Sequence, residues 1–321
     1  MPPALTSPQR TLEGIAAAIR QAVDVAGASL NEVAAIGIGI PGRVDPQSGV
    51  VRLAVNLNWR EMPVGAWLSE ELGVPCFLEK DVRAAALGVR LCNGGASAQN
   101  MLYVGIGTGI GAGVILNGEL FHGAHGMAGE IGHMLVEPDG PLCQCGAQGC
   151  LEALAAGPAI ARLAQQAVAS GQETSLRDYE QLTAESVYQA AEAGDAAAQA
   201  IADAVGRHLG RALQALVMTY DIEQVVLGGG VSRAGKAFLE PILRELERQR
   251  QQSALAREML RLDMIKLLPL DCDAGTWGAV AIAEQSLRNL RREKGGVNEI
   301  SHFLPPLAEP FEKRVSNLPE P

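Results

Sequence analysis

Four side chains that favour soft or borderline metals lie close together in this sequence: His133, Cys143, Cys145 and Cys150, spaced H-x9-C-x-C-x4-C. Three thiolates and one imidazole are the donor set of a closed, tetrahedral Zn²⁺ site. Gly140, Gly146 and Gly149 are interleaved with the cysteines, so the backbone can turn sharply enough to bring the four donors together. With every coordination position filled by protein, the metal is expected to be structural and to orient His133 and its neighbours. Redox-active or simply buried thiols are the competing readings of the cluster. The remaining cysteines, Cys76, Cys92 and Cys272, stand alone on apolar segments and read as buried small side chains. A disulfide framework is usually spread more evenly along a shorter secreted chain.

Around this cluster the apolar pattern alternates between helical and strand periods. Leu12, Ile15, Ala16, Ile19 and Val23 recur at helical spacing over residues 10–26, and 33–40 reads as a buried strand ending at Pro41-Gly42. A helix and strand follow over about 63–79, then a helix at 81–91 and a strand at 100–106. Residues 151–219 are alanine-rich and mostly helical, with breaks at Gly157-Pro158 and Gly194-Asp195. No heptad is sustained there, which sets a coiled coil aside. Strand 223–227, helix 236–250, strand 262–268 and helix 275–290 complete an α/β alternation. Beyond about residue 291 the composition turns to Pro, Glu, Lys and Asn, and a loosely ordered tail is expected.

With 321 residues the chain can bury a large core in one large or two medium domains. Its net charge of −10 disfavours non-specific attraction to nucleic acid or anionic lipid. No apolar run approaches the roughly 18–20 residues that span a bilayer, and no basic segment followed by an apolar stretch opens the chain. A cytoplasmic protein is the expectation. The 37 glycines and few aromatics (4%) suit tight turns and close approach of backbone to ligand.

Glycine position therefore carries information. Gly107-Thr108-Gly109-Ile110-Gly111-Ala112-Gly113 follows the strand at 101–106 and precedes another apolar stretch. Its bare backbone and the Thr108 hydroxyl suit phosphate oxygens, although a glycine-rich β-hairpin without a ligand has the same pattern. A strand rather than a helix follows, so the run does not fit the dinucleotide fingerprint. Gly228-Gly229-Gly230 is a second place where a ligand could lie on bare backbone, but strand-to-helix turns favour glycine anyway. Asp81 begins a helix at the carboxyl end of a strand, where α/β sites lie; on spacing alone a plain N-cap is the favoured reading. Glu130 and Glu152 flank the cysteine loop and are uninformative singly.

Taken together these segments resemble the ROK family of bacterial glucokinases, other sugar kinases and sugar-responsive repressors, over about residues 10–288. The resemblance is carried by Gly37 to Asp45 (GIGIPGRVD), by Asn56 before Trp59, by Asp81 to Gly88 (DVRAAALG) and by the Gly107–Gly113 loop. Its most specific block is Ala128 to His133 (AGEIGH) with Cys143 to Glu152 (CQCGAQGCLE).

The resemblance implies a two-domain actin-like ATPase (ribonuclease H-like) fold, with sugar in the interdomain cleft and nucleotide mainly on the larger domain. Residues 1–95 would form the smaller N-terminal domain, joined by a C-terminal helix at about 276–290. Residues 96–275 would form the larger domain with the zinc loop 133–150. It implies ATP and Mg²⁺ as cofactors beside structural Zn²⁺, and a homodimer. Asp81 matches the family's general base. Glu130, His133 and Glu152 match residues that hold sugar hydroxyls, with His133 also a metal ligand. Gly42 and Asn56 match further sugar contacts, Gly107, Thr108, Gly109 and Gly111 would cradle phosphates, and Gly228, Gly229 and Gly230 would lie near the adenosine.

Two departures qualify these implications. The Asp-x-Gly-Gly-Thr loop of family kinases, which helps hold phosphates and Mg²⁺, is not found, so the N-terminal sheet is expected to be truncated. Lys80 stands where an Asn commonly contacts the sugar. It either pairs with Asp81 and weakens it as a base or points to solvent. The expected function is ATP-dependent hexose phosphorylation, glucose first, with an N-acetylhexosamine or fructose next. The alternatives are a non-catalytic sugar-binding protein related to the repressors and an N-terminally truncated, inactive kinase. Nothing before residue 33 reads as a helix-turn-helix, and the acidic balance argues against DNA contact.

Overall fold

A computed structural model describes residues 7–92 and 98–293. In chain order the elements are α1 (Pro8–Val25), β1 (Ile36–Ile40), β2 (Arg43–Asp45), β3 (Val50–Ala54), β4 (Trp59–Met62), α2 (Val64–Leu72), β5 (Cys76–Lys80) and α3 (Asp81–Cys92). There follow β6 (Met101–Ile106), β7 (Ile110–Leu116), β8 (Glu119–Leu120), α4 (Leu151–Ala155), α5 (Gly157–Ala169), α6 (Ala184–Glu192) and α7 (Ala196–Tyr220). Then come β9 (Gln224–Gly228), α8 (Lys236–Gln252), α9 (Ala254–Met259), β10 (Ile265–Leu267) and α10 (Ala274–Glu293). The described residues divide into two compact units. The first takes those within Met1–Ala96, Ala124–Gly126 and Asp273–Pro321, the second those within Ser97–Gly123 and Met127–Cys272.

In the first unit, β1 and β5 pair in parallel from Ile36↔Cys76 to Ile40↔Lys80, and β2, β3 and β4 form a separate antiparallel sheet. Leu12, Ile40, Val51, Trp59, Met62, Leu68 and Leu78 are buried together. Helices α3 and α10 pack backbone to backbone: a Cβ added at Gly88 would strike the Ala274 carbonyl, and one at Gly278 the Ala84 carbonyl. Any side chain at either position would push the two helices apart.

In the second unit the sheet order is β10-β9-β6-β7-β8, with β10, β9 and β6 parallel and β7 and β8 antiparallel to their neighbours. Strand β6 is almost wholly buried. The apolar faces of α5 to α8 close over the sheet in one core that includes Leu102, Val104, Ile160, Tyr188, Leu213 and Phe238.

Several sequence expectations change in detail. The strand expected over 33–40 begins only at Ile36, because Leu30–Glu32 folds into a 3₁₀ turn. Glu32 caps that turn through the Ser29 amide and hydroxyl (2.8 and 3.0 Å), and sheet pairing starts with Ile36 N donating to Pro75 O. The strand expected at 262–268 shortens to β10 because Leu262–Met264 is likewise a 3₁₀ turn. Cys76 is buried as expected, whereas Cys92 and Cys272 are only half-buried. Helix α10 runs through Glu293, and the rest of the expected tail lies outside the described residues. Among the described residues no helix is long and apolar enough to cross a membrane.

The break read at Gly194-Asp195 is a built cap. Gly194 has φ +94°, and Asp195 caps α7 through Ala198 N (2.9 Å) while accepting from Ser175 N and the hydroxyls of Ser175 and Thr174. Burial acts to raise the Asp195 carboxyl, but these hydrogen bonds outweigh it and bring the group down to about 2. A folded value below the unfolded one, near 4, gives stability that is complete above about pH 4 and lost as pH falls through about 2. Asp195→Ala is therefore expected to lower stability in urea melts at pH 7 by about 1–2 kcal/mol. The gap from wild type should shrink between pH 4 and pH 2; a gap independent of pH would count against this account.

Candidate functional site

The cysteine loop is built by two short backbone pairings. His133 ends a 3₁₀ turn over Ile131–His133, and the chain then pairs with its own return, Leu135 bridging Cys150 and Leu142 bridging Gln148. Cys143 N donates to Ala147 O (2.7 Å) and Gly146 N to Cys143 O (3.0 Å), a tight turn around one thiol. Gly149 has φ +73°, and a Cβ there would collide with the Glu137 carbonyl.

The ligand atoms of His133, Cys143, Cys145 and Cys150 lie within 4.8 Å of one another. His133 Nδ1 is 3.7 Å from Cys143 Sγ, and Cys145 Sγ is 3.6 Å from Cys150 Sγ. Tetrahedral zinc with S and N bonds of ordinary length has ligand–ligand edges of about 3.5–3.8 Å, so this donor set fits the ion. Without a cation the thiols hinder one another. Burial and then the neighbouring Cys145 and Cys143 push the Cys150 thiol up to about 12. The exposed Cys145 thiol is lowered, first by the Ala147 backbone and then by Cys143 and Cys150.

Both flanks of this loop are stitched to the free edge of β7. Gly107 N donates to Gly109 O (2.9 Å), so Ile106 and Ile110 face each other without exchanging hydrogen bonds and Ile110 N points away from β6. The Glu152 carboxylate, in the first turn of α4, accepts that amide at 2.9 Å. Ala112 N, two residues on, donates to Gly129 O (2.8 Å), beside Glu130. An unpaired strand edge is thereby covered. The glycine run is a β-hairpin whose turn is 107–109, and the turn is also pinned by Gly157 N donating to Gly107 O (2.8 Å). Among the described residues the Thr108 and Gly109 amides keep no protein partner.

At the carboxyl ends of β6 and β9, where α/β ligand sites lie, a cavity of about 830 Å³ opens, lined by Gly107, Thr108, Gly157, Pro158, Gly230 and Arg233. Glu185, Gln189 and Glu192 from one face of α6 form part of its rim. Gly230 lines it, whereas Gly228 and Gly229 are glycines for another reason: a Cβ would meet the Tyr103 ring at the first and the backbone of Ile106 at the second.

In the first unit, Asp81 is the exposed first residue of α3, and its Oδ1 accepts Val82 N at 2.8 Å. Beneath it Glu79 (3% exposed) accepts Lys80 N and pairs with fully buried Arg83 at 2.7 Å; Arg83 Nη1 donates to Gly126 O at 2.8 Å. Lys80 is 8% exposed, so of its two expected placements the solvent-facing one is excluded. Gly42 has φ +103°, and an added Cβ would strike the Leu53 carbonyl; Asn56 is exposed on a 3₁₀ turn. The structure thus gathers Glu152, His133, the three cysteines and the glycine turn in the second unit, with Glu130 on the same stitched segment. Asp81, Gly42 and Asn56 belong to the first. Sequence reasoning missed the Glu79–Arg83 pair, Arg233, the rim on α6 and the pinning role of Gly157, which read only as a helix break.

The chain is similar to known proteins along most of its length. Residues 4–286 match the model of the ROK family. A glucokinase of Halalkalibacterium halodurans is 38% identical over 276 residues, covering 84% of this chain and 82% of that one. A putative xylose repressor of Caldicellulosiruptor sp. is 35% identical, covering 74% of this chain and 60% of the repressor. A ROK family glucokinase from Streptomyces griseus, solved in complex with glucose and AMPPNP, superposes with a TM-score of 0.68 at 32% identity, over 88% of this chain and 89% of that one.

The fit of the four donors leads to a measurable outcome. Stripping metal with a strong chelator, or Cys143→Ser, is expected to lower the melting temperature by about 5–10 °C, and adding Zn²⁺ back should restore the stripped wild-type protein. Unchanged melting after verified removal of metal would show that the loop does not depend on an ion.

Proposed function

Because the chain belongs to the ROK family and has the α/β, actin-like ATPase fold of its sugar kinases, we propose that it is a cytoplasmic, ATP-dependent hexose kinase with glucose as its first substrate. In this reading Asp81 takes the proton from the attacking sugar hydroxyl as the γ-phosphoryl group is transferred. Glu130, His133 and Glu152 hold other hydroxyls, and Gly42 and Asn56 add contacts. His133 directs Nδ1 towards Cys143, which leaves Nε2 for a hydroxyl. His133, Cys143, Cys145 and Cys150 would hold Zn²⁺, whose contribution is to fix the loop.

The observation that carries the reading is the glycine turn. It carries two unpartnered amides, Thr108 and Gly109, and its Thr108 borders a cavity large enough for a nucleoside, while Glu152 touches the same turn. Bare amides suit phosphate oxygens, and the apolar floor of Pro158, Ala161 and Leu182 suits a base. Mg²⁺ would enter with the nucleotide phosphates. A homodimer is the assembly we expect.

A second reading, a non-catalytic sugar-binding protein, is favoured by one feature: a buried lysine, Lys80, stands where family kinases commonly carry an Asn that contacts the sugar. Similarity to a repressor is compatible with it. A coupled assay of ADP release over a panel of hexoses separates the two. The kinase reading predicts turnover with glucose, and a loss of about 10²–10⁴-fold in kcat for Asp81→Asn with sugar binding kept. Tight sugar binding with no ADP from any hexose would reject the kinase reading and leave the binding protein.

A further inference from the structure

Glu152, a proposed sugar ligand, also holds the glycine turn. Its Oε2 accepts the Ile110 amide at 2.9 Å, while Oε1 has no hydrogen bond among the described residues. The carboxylate is wedged between two backbones, since a Cβ added at Gly109 would come within 2.5 Å of Oε2 and one at Gly132 within 3.3 Å. Gly132 lies between Glu130 and His133, so the group is confined from both sides. Its own helix starts directly after Cys150, which is 1% exposed and part of the proposed metal set.

Building on the kinase reading, we propose that Glu152 is a positioning residue that makes sugar and nucleotide binding cooperative. A sugar hydroxyl donating to Oε1 removes the remaining rotational freedom of the carboxylate. That fixes Oε2 on Ile110 N, and with it the Gly109 and Thr108 amides one and two residues before. Charge acts in the same direction. An anion beside a turn that receives phosphates opposes them, and a hydroxyl donor on that anion draws its charge away from the turn. Each ligand therefore improves the site for the other, by the same factor in both directions.

The test measures AMPPNP–Mg²⁺ affinity by calorimetry, with and without glucose at a concentration saturating for each protein, in wild type, Glu152→Gln and Glu152→Ala. Exchange of the Ile110 amide is followed in parallel, and metal content and melting confirm that each variant is folded. In wild type, glucose should tighten AMPPNP about fivefold or more. In Glu152→Gln the amide oxygen still accepts from Ile110 without charge, so Ile110 should stay protected. AMPPNP should then bind better without glucose than it does to wild type, and glucose should add clearly less than it does in wild type. Glu152→Ala should lose both Ile110 protection and the coupling. Full coupling in Glu152→Gln, or a protected Ile110 in Glu152→Ala, would overturn the inference. Glucose binding to wild type with unchanged AMPPNP affinity would overturn it alone, whereas failure of wild type to bind any hexose would bring down the proposed function as well.

Discussion

Convergence of one imidazole and three thiols on a space under 5 Å across is the constraint from which the second unit's site follows. The loop that achieves it has almost no apolar core, only Cys143, Cys150 and Ala153 buried together, so hydrophobic burial cannot set its shape. Backbone pairing between Leu135 and Cys150, and between Leu142 and Gln148, sets it in part. A metal held by the four donors would set the rest. Because His133 and Cys150 lie at the two ends of the loop, fixing them fixes the segments that leave it. One carries Glu130 and the other Glu152, and both are stitched to the outer edge of β7.

The first unit reaches a comparable rigidity by different chemistry. Glu79 and Arg83 are buried one turn apart at the junction of β5 and α3. A buried ion pair costs desolvation on both sides and is weak evidence for stability, but removing either partner leaves an uncompensated charge and costs about 3–5 kcal/mol. The pair is therefore hard to lose. It ties the start of α3, where Asp81 sits, to the carbonyl of Gly126. Lys80, the residue before Asp81, is buried as well.

Much of this was legible in the sequence, and what was missed has physical reasons. That His133 and the three cysteines converge could be read because the chemistry of such a donor set is specific at any backbone geometry. The long helices and β6 could be read because apolar periodicity survives any tertiary arrangement. Strands β2 to β4 could not, since each spans five residues or fewer and the chain turns between them at Gly49 and Asn58 with positive φ. The ends of β1 and β10 were misjudged because local 3₁₀ turns take residues whose composition suits a strand. Among glycines, sequence could not separate Gly230, which lines a cavity, from Gly228, which makes room for the Tyr103 ring. Nor could it show that Glu152 faces a backbone amide forty-two residues earlier in the chain. Such pairings depend on which edge of a strand is left open, and that is a property of the sheet rather than of any segment.

The central claim is that a tetrahedral ion held by one imidazole and three thiolates sets this geometry. X-ray absorption at the zinc edge of the purified protein addresses it most directly. The account predicts one zinc per chain, with a first shell of three sulfurs at about 2.3 Å and one nitrogen at about 2.0 Å. A protein without zinc that keeps its fold, or a shell made only of oxygen and nitrogen, would contradict it.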